Sequence, residues 1–276
     1  MKKYLKYFSL LLVVALFITG CGKAKEKEEV LEKNIDQQNL EMYPYLMVVT
    51  AKYGATKESK EFIDRIFGDN AEEKFRTYFQ WYNVVHELTH GLITYNNNTS
   101  YLEHNNVYAK EGYKEEQRVN DFAVAYWKRY GDPEKFELFK NTVYYVLSKM
   151  KDPTDGKLTI EEYGKQLWES DNPDASFEEY GWFQFNSVRL AIEKDLSLEE
   201  AYANLKLDKE AKFDDIILNY GIINEESCER VIDDTINKFQ KWGLVYPEVY
   251  HIYDDDPNQN YSKSITKIQY EQLKNN

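Results

Sequence analysis

Six residues of this chain, Val119, Phe122, Ala123, Tyr126, Trp127 and Tyr130, recur at offsets of 3, 4, 7, 8 and 11 from the first. That spacing describes one apolar face of an α-helix and excludes a strand, whose faces alternate every second residue. Glu116 lies one turn upstream within the same face. A carboxylate in an apolar face is costly unless it is neutralised or bound. The helix therefore needs a cationic partner for Glu116.

A second helix offers one. His86-Glu87-Leu88-Thr89-His90 places two imidazoles four residues apart. On an α-helix that is about 6 Å of rise and 40° of rotation, so both rings reach one metal ion from one side. Glu87 projects about 100° away from His86, too far round to be a ligand but within reach of a metal-bound water. Tyr78, Tyr82, Val85, Leu88, Thr89 and Leu92 form an apolar stripe, and the two histidines fall at its edge, where they would line a cleft. The chain has four histidines. A chance His-Glu-x-x-His in such a composition arises on the order of 1 in 150, which favours metal chemistry over coincidence.

A catalytic zinc takes three protein ligands and keeps one position open. No histidine occurs in Gly91 to Asn96, so the third ligand lies further on. Glu103, His104, Glu115, Glu116 and a residue more distant in the chain compete for the place. Glu116 has Asn120 one turn later, whose amide oxygen can accept from a ligating imidazole and fix its tautomer. Glu115 has Val119 in that position, which has no such capacity.

Glu116-x-x-Val119-Asn120, extended by Phe122-Ala123, resembles the Glu-x-x-Ala-Asn/Asp segment that follows His-Glu-x-x-His in the gluzincin metallopeptidases. The resemblance covers Tyr78 to Trp127 and departs at Val119, where alanine is usual. It implies a Zn2+ cofactor held by His86, His90 and Glu116, with Asn120 orienting the first histidine. It implies a zincin-like catalytic domain that hydrolyses a polypeptide substrate through a zinc-bound water, with Glu87 as the base that takes the water's proton. Tyr108, Tyr113 and His251 are candidate donors to the oxyanion. Two other readings stand beside this one: a non-catalytic binding or assembly lipoprotein that keeps the zincin helices, and a zinc hydrolase of a cell-wall amide.

The amino terminus bears on location. Lys2, Lys3 and Lys6 precede an apolar run from Phe8 to Ile18, too short for a permanent span, so residues 1–20 read as a signal peptide. Ile18-Thr19-Gly20-Cys21 resembles the bacterial lipobox, which implies lipid on Cys21 and an extracytoplasmic protein anchored to the cell membrane. Residues 21–41 read as a polar tether, and 42–276 as the catalytic domain with a helical C-terminal half. With Cys21 lipidated, Cys228 has no disulfide partner. The net charge of −13 becomes −16 once the three signal lysines leave, which argues against a nucleic-acid partner. A monomer is expected.

The fold class expected is mainly α, with a small β element beside the active-site helix. Helix-start patterns recur at Asn70/Glu73, Thr159/Glu162, Ser176/Glu179 and Ser197/Glu200, and Asp132-Pro133 reads as a cap followed by proline at the first helical position. A short sheet is placed near Tyr101 to Tyr108. Asp152 to Leu158 has the look of half a calcium loop but carries Lys151 and Pro153 at ligand positions, so it reads as a turn into a capped helix. Tyr180 to Phe185 reads as core.

Overall fold

A computed structural model describes residues 45–169 and 177–254. The signal peptide, Cys21, the tether, Ser176 and residues 255–276 lie outside the described residues. The fold is mainly helical with a small two-stranded parallel sheet, as expected. No helix among the described residues is long and apolar enough to cross a membrane.

Strand β1 (Tyr45–Ala51) pairs in parallel with β2 (Glu248–Asp254), from Tyr45 opposite Glu248 to Ala51 opposite Asp254. Helix α1 (Lys57–Phe67) starts at a reciprocal capping box between Thr56 and Ser59 and stops at Gly68, whose φ of 67° requires glycine's freedom. Helix α2 (Ala71–Arg76) runs without a break into a π-helical turn (Thr77–Tyr82) and then α3 (Asn83–Asn96), the helix of the two histidines. Asn70 does not cap α2 as predicted. It adopts a left-handed conformation (φ 56°) and its side chain makes no capping bond, because the tight link from Gly68 consumes the residue as a turn.

The predicted sheet near Tyr101 to Tyr108 is also overturned. Those residues begin α4 (Tyr101–Tyr130), which opens on a Ser100/Glu103 capping box. Helix α4 is broken at Glu111 (φ −129°, ψ 19°), so its first three turns fold back over the rest. Beyond the break the predicted face holds: Val119, Phe122, Ala123, Tyr126, Trp127 and Tyr130 are fully buried. Trp127 stacks on Trp81 of the π-helical turn with centroids 4.2 Å apart.

Asp132 caps α5 (Pro133–Lys149) by accepting from the Lys135 N–H, with proline at the helix start as expected. Asp152 takes the N–H groups of Thr154 and Gly156 into a turn, and Thr159 and Glu162 then cap α6 (Ile160–Glu169). Helix α7 (Phe177–Lys194) carries the buried Trp182, Phe183 and Phe185. The Ser197/Glu200 box starts α8 (Leu198–Leu205), and α9 (Glu225–Lys241) leads toward β2. The Cys228 thiol on α9 is free and fully buried, and burial pushes it up to about 12.

The sheet and the loop before β2 press α3 from one side. The Tyr246 hydroxyl donates to the Leu88 carbonyl at 2.6 Å, and Asn96 exchanges hydrogen bonds with Val245 at 2.7 Å each. Gly91, next to His90, makes this approach possible. A Cβ there would meet Tyr246 Oη at 2.7 Å and Leu46 Cδ2 at 2.8 Å. Gly91→Ala gains up to ~1 kcal/mol of helix propensity, but overpacking costs about 1–3 kcal/mol. A net loss of stability is expected, read as a lower urea midpoint.

Candidate metal centre

Helix α3 supplies His86, Glu87 and His90, and the second arm of α4 supplies Glu115, Glu116 and Asn120. The two helices pack directly against each other. His86 Nε2 lies 3.2 Å from Glu116 Oε2, and His90 Nε2 lies 3.4 Å from Glu116 Oε1. Ligand atoms of the three residues all fall within 4.8 Å of one another. A tetrahedral ion with bonds of about 2.0–2.1 Å separates its ligand atoms by about 3.3 Å. Each histidine lies near that distance from one oxygen of Glu116, His86 from Oε2 and His90 from Oε1.

The rings are oriented from behind. His86 Nδ1 donates to Asn120 Oδ1 at 2.8 Å, and the Tyr82 hydroxyl donates to the same oxygen at 2.7 Å. His90 Nδ1 donates to Glu115 Oε1 at 2.8 Å. With the Nδ1 atoms so engaged, Nε2 is the nitrogen that each imidazole turns toward Glu116 and that would bind an ion there. Both oxygens of Glu116 are themselves held: Tyr108 Oη donates to Oε1 at 2.5 Å, and Gln184 Nε2 to Oε2 at 2.7 Å. Glu87 stands beside the trio, its Oε1 3.9 Å from His86 Nε2 and accepting from Asn83 Nδ2 at 3.2 Å.

The electrostatics show a site in need of positive charge. Burial opposes ionisation of Glu116, but His90 and His86 outweigh it and hold its carboxyl well below the usual carboxylate range. Burial also disfavours a charged His90, yet Glu116 and Glu115 hold its pKa well above the ordinary histidine value. Glu87 is pushed up to about 7 by burial, against the pull of His86 and His90. A divalent cation would satisfy this arrangement better than a proton on an imidazole, and would draw Glu87 down again. By donor chemistry and spacing, His86, His90 and Glu116 could hold a metal ion.

The structure thus brings together His86, Glu87, His90, Glu116 and Asn120. Of the competing third ligands, Glu115 turns its carboxylate to the Nδ1 side of His90, and His104 bonds Glu115 at 2.8 Å. Glu103 is exposed and caps α4. Of the candidate oxyanion donors, Tyr108 reaches Glu116, Tyr113 packs in a separate cluster with Tyr163, Trp182 and Phe183, and His251 sits on β2 between Thr50 and Glu229.

The expected cleft edge differs from what is found. Helix α3 is buried all round, and His86, Glu87, His90 and Glu116 expose only 3–6% of their surface. Sequence periodicity marks one apolar stripe, but α4 and α9 also pack against this helix. The roles of Glu115 and Gln184 were not foreseen. Adjacent glutamates opposite two histidines are a usable signal for the first. Gln184, the one polar residue in Gly181 to Phe185 and four residues after Tyr180, is a usable signal for the second.

No family model matches the chain, and no curated protein or solved structure does.

Proposed function

We propose that the protein is a zinc-dependent metallopeptidase, anchored outside the cytoplasm by lipid on Cys21. The observation that carries this reading is the convergence of His86, His90 and Glu116 within 4.8 Å, with Glu87 beside them and outside the ligand set. His86 Nε2, His90 Nε2 and a Glu116 oxygen would hold the ion. Bound there, zinc supplies a Lewis acid that polarises a carbonyl and acidifies a water molecule.

The chain's own groups perform the proton work. Glu87 accepts the water's proton and returns it to the departing amine. Asn120 and Glu115 keep the imidazoles in the tautomer that presents Nε2. Of Tyr108, Tyr113 and His251, Tyr108 is the candidate that lies against the ligand set, and its hydroxyl would have to leave Glu116 Oε1 to donate to the oxyanion. Burial, reinforced by Glu116, holds its pKa well above the ordinary tyrosine value, so it stays a donor.

The test joins metal analysis to cleavage of an unbiased peptide library. About one zinc per chain is expected, with cleavage that stops on treatment with a strong zinc chelator and returns on adding zinc. A purified chain that neither carries nor takes up zinc would end this reading. A zinc-loaded chain that cleaves no peptide would leave a metal site but remove the peptidase.

A further inference from the structure

His104 lies on the first arm of α4, eleven residues before Glu115. Along an unbroken helix that separation is about 16 Å. The break at Glu111 instead folds the arm back, and His104 Nε2 meets Glu115 Oε2 at 2.8 Å. The other ring nitrogen of His104 meets Thr94 Oγ1 at 3.0 Å, and Thr94 donates to the main-chain carbonyl of His90 at 2.9 Å. Glu115 Oε1 closes the circuit on His90 Nδ1 at 2.8 Å. A ring of hydrogen bonds therefore begins and ends on His90, through its backbone at one end and its imidazole at the other. His104 and Glu115 are both buried, at 7% and 5% exposure.

We infer that His104 is a positioning residue for the metal centre, acting on His90 through Glu115. This rests on the zinc reading above. Glu115 is a buried carboxylate one residue from the proposed ligand Glu116, so its direction matters. Engaged by His104, it faces the Nδ1 side of His90 and serves as a fixed acceptor. Without His104, the other basic side chain near it is Arg118, 3.9 Å away and partly exposed. A buried carboxylate with a lost partner reorients toward whatever positive charge is near. Here that charge is Arg118, and a Glu115 carboxylate turned toward it would release the His90 ring.

Zinc affinity of the full chain, measured by competition with a chromogenic chelator, tests this without using activity. His104→Leu and His104→Asn, neither able to reach Glu115, are expected to weaken zinc binding roughly 10-fold. His104→Gln keeps an N–H donor on a longer side chain and is expected to recover most of the loss. In a Glu115→Gln background, His104→Leu is expected to add less than about 2-fold, because the two residues act as one unit. The asparagine variant covers the case in which the leucine variant fails to fold. A folded His104→Leu or His104→Asn chain that binds zinc like the wild type overturns the inference, as does a His104 effect that persists in full without Glu115. A wild-type chain that takes up no zinc in the same titration overturns the metal site as well, so the two failures are told apart.

Discussion

Glu87→Gln is expected to abolish peptide cleavage, by roughly 10²–10⁴-fold if only general-base assistance is lost, while leaving zinc in place. Glu87 Oε1 is 3.9 Å from His86 Nε2, and neither of its oxygens belongs to the converging trio. Glutamine preserves the shape and still accepts from Asn83, but it cannot take a proton from water. Stability should hold or rise, since the substitution removes a buried carboxylate whose ionisation is disfavoured by its surroundings. Three measurements check the set: zinc per chain, melting temperature and cleavage rate. Wild-type activity in a zinc-loaded Glu87→Gln chain would remove Glu87 from the reaction. Loss of zinc alongside activity would make Glu87 a ligand instead of a base.

Glu116→Gln is expected to lose zinc outright at ordinary free-metal concentrations. An outer partner of a ligand typically contributes 10–100-fold in affinity, and a ligand itself more. Two imidazoles with centroids 5.0 Å apart remain in the variant, but two neutral donors without the carboxylate hold a divalent ion poorly. Tyr108 and Gln184 would also compete for one amide oxygen where each now has its own carboxylate oxygen. The decisive comparison is with Glu115→Gln, which should weaken zinc binding less. If the order were reversed, the third ligand would be Glu115, and the hydrogen bond it now makes to His90 Nδ1 would need another explanation.

Much of the site was legible because its parts are local. The helical frame of His86 to His90 and the apolar face from Val119 to Tyr130 each lie within a few turns of chain. Glu116 stood out as a carboxylate out of place in that face. What stayed hidden depends on non-local contacts. Gly112 weakens the helix beside Glu111, but a lone glycine does not announce a break as a proline would. That break nonetheless brings Tyr108 to Glu116 and His104 to Glu115. Gln184 reaches the site from 68 residues beyond Glu116, across a gap no periodicity spans. The sheet was misplaced for the same reason. Leu46 to Val49 reads as a short apolar run, and only its pairing with Val249 to Ile252 makes it a strand.

That pairing sets an order of events as the chain emerges. Partner residues of β1 and β2 lie about 200 positions apart, and contacts so distant in sequence form late. Until Asp254 has left the ribosome, Leu46 and Val48, fully buried in the finished protein, have no strand beside them. Helix α3 would meanwhile lack the brace of Tyr246 and Val245. A nascent chain stopped short of β2 would carry His86, Glu87, His90 and Glu116 yet present an uncovered strand edge, the kind of surface that chaperones retain.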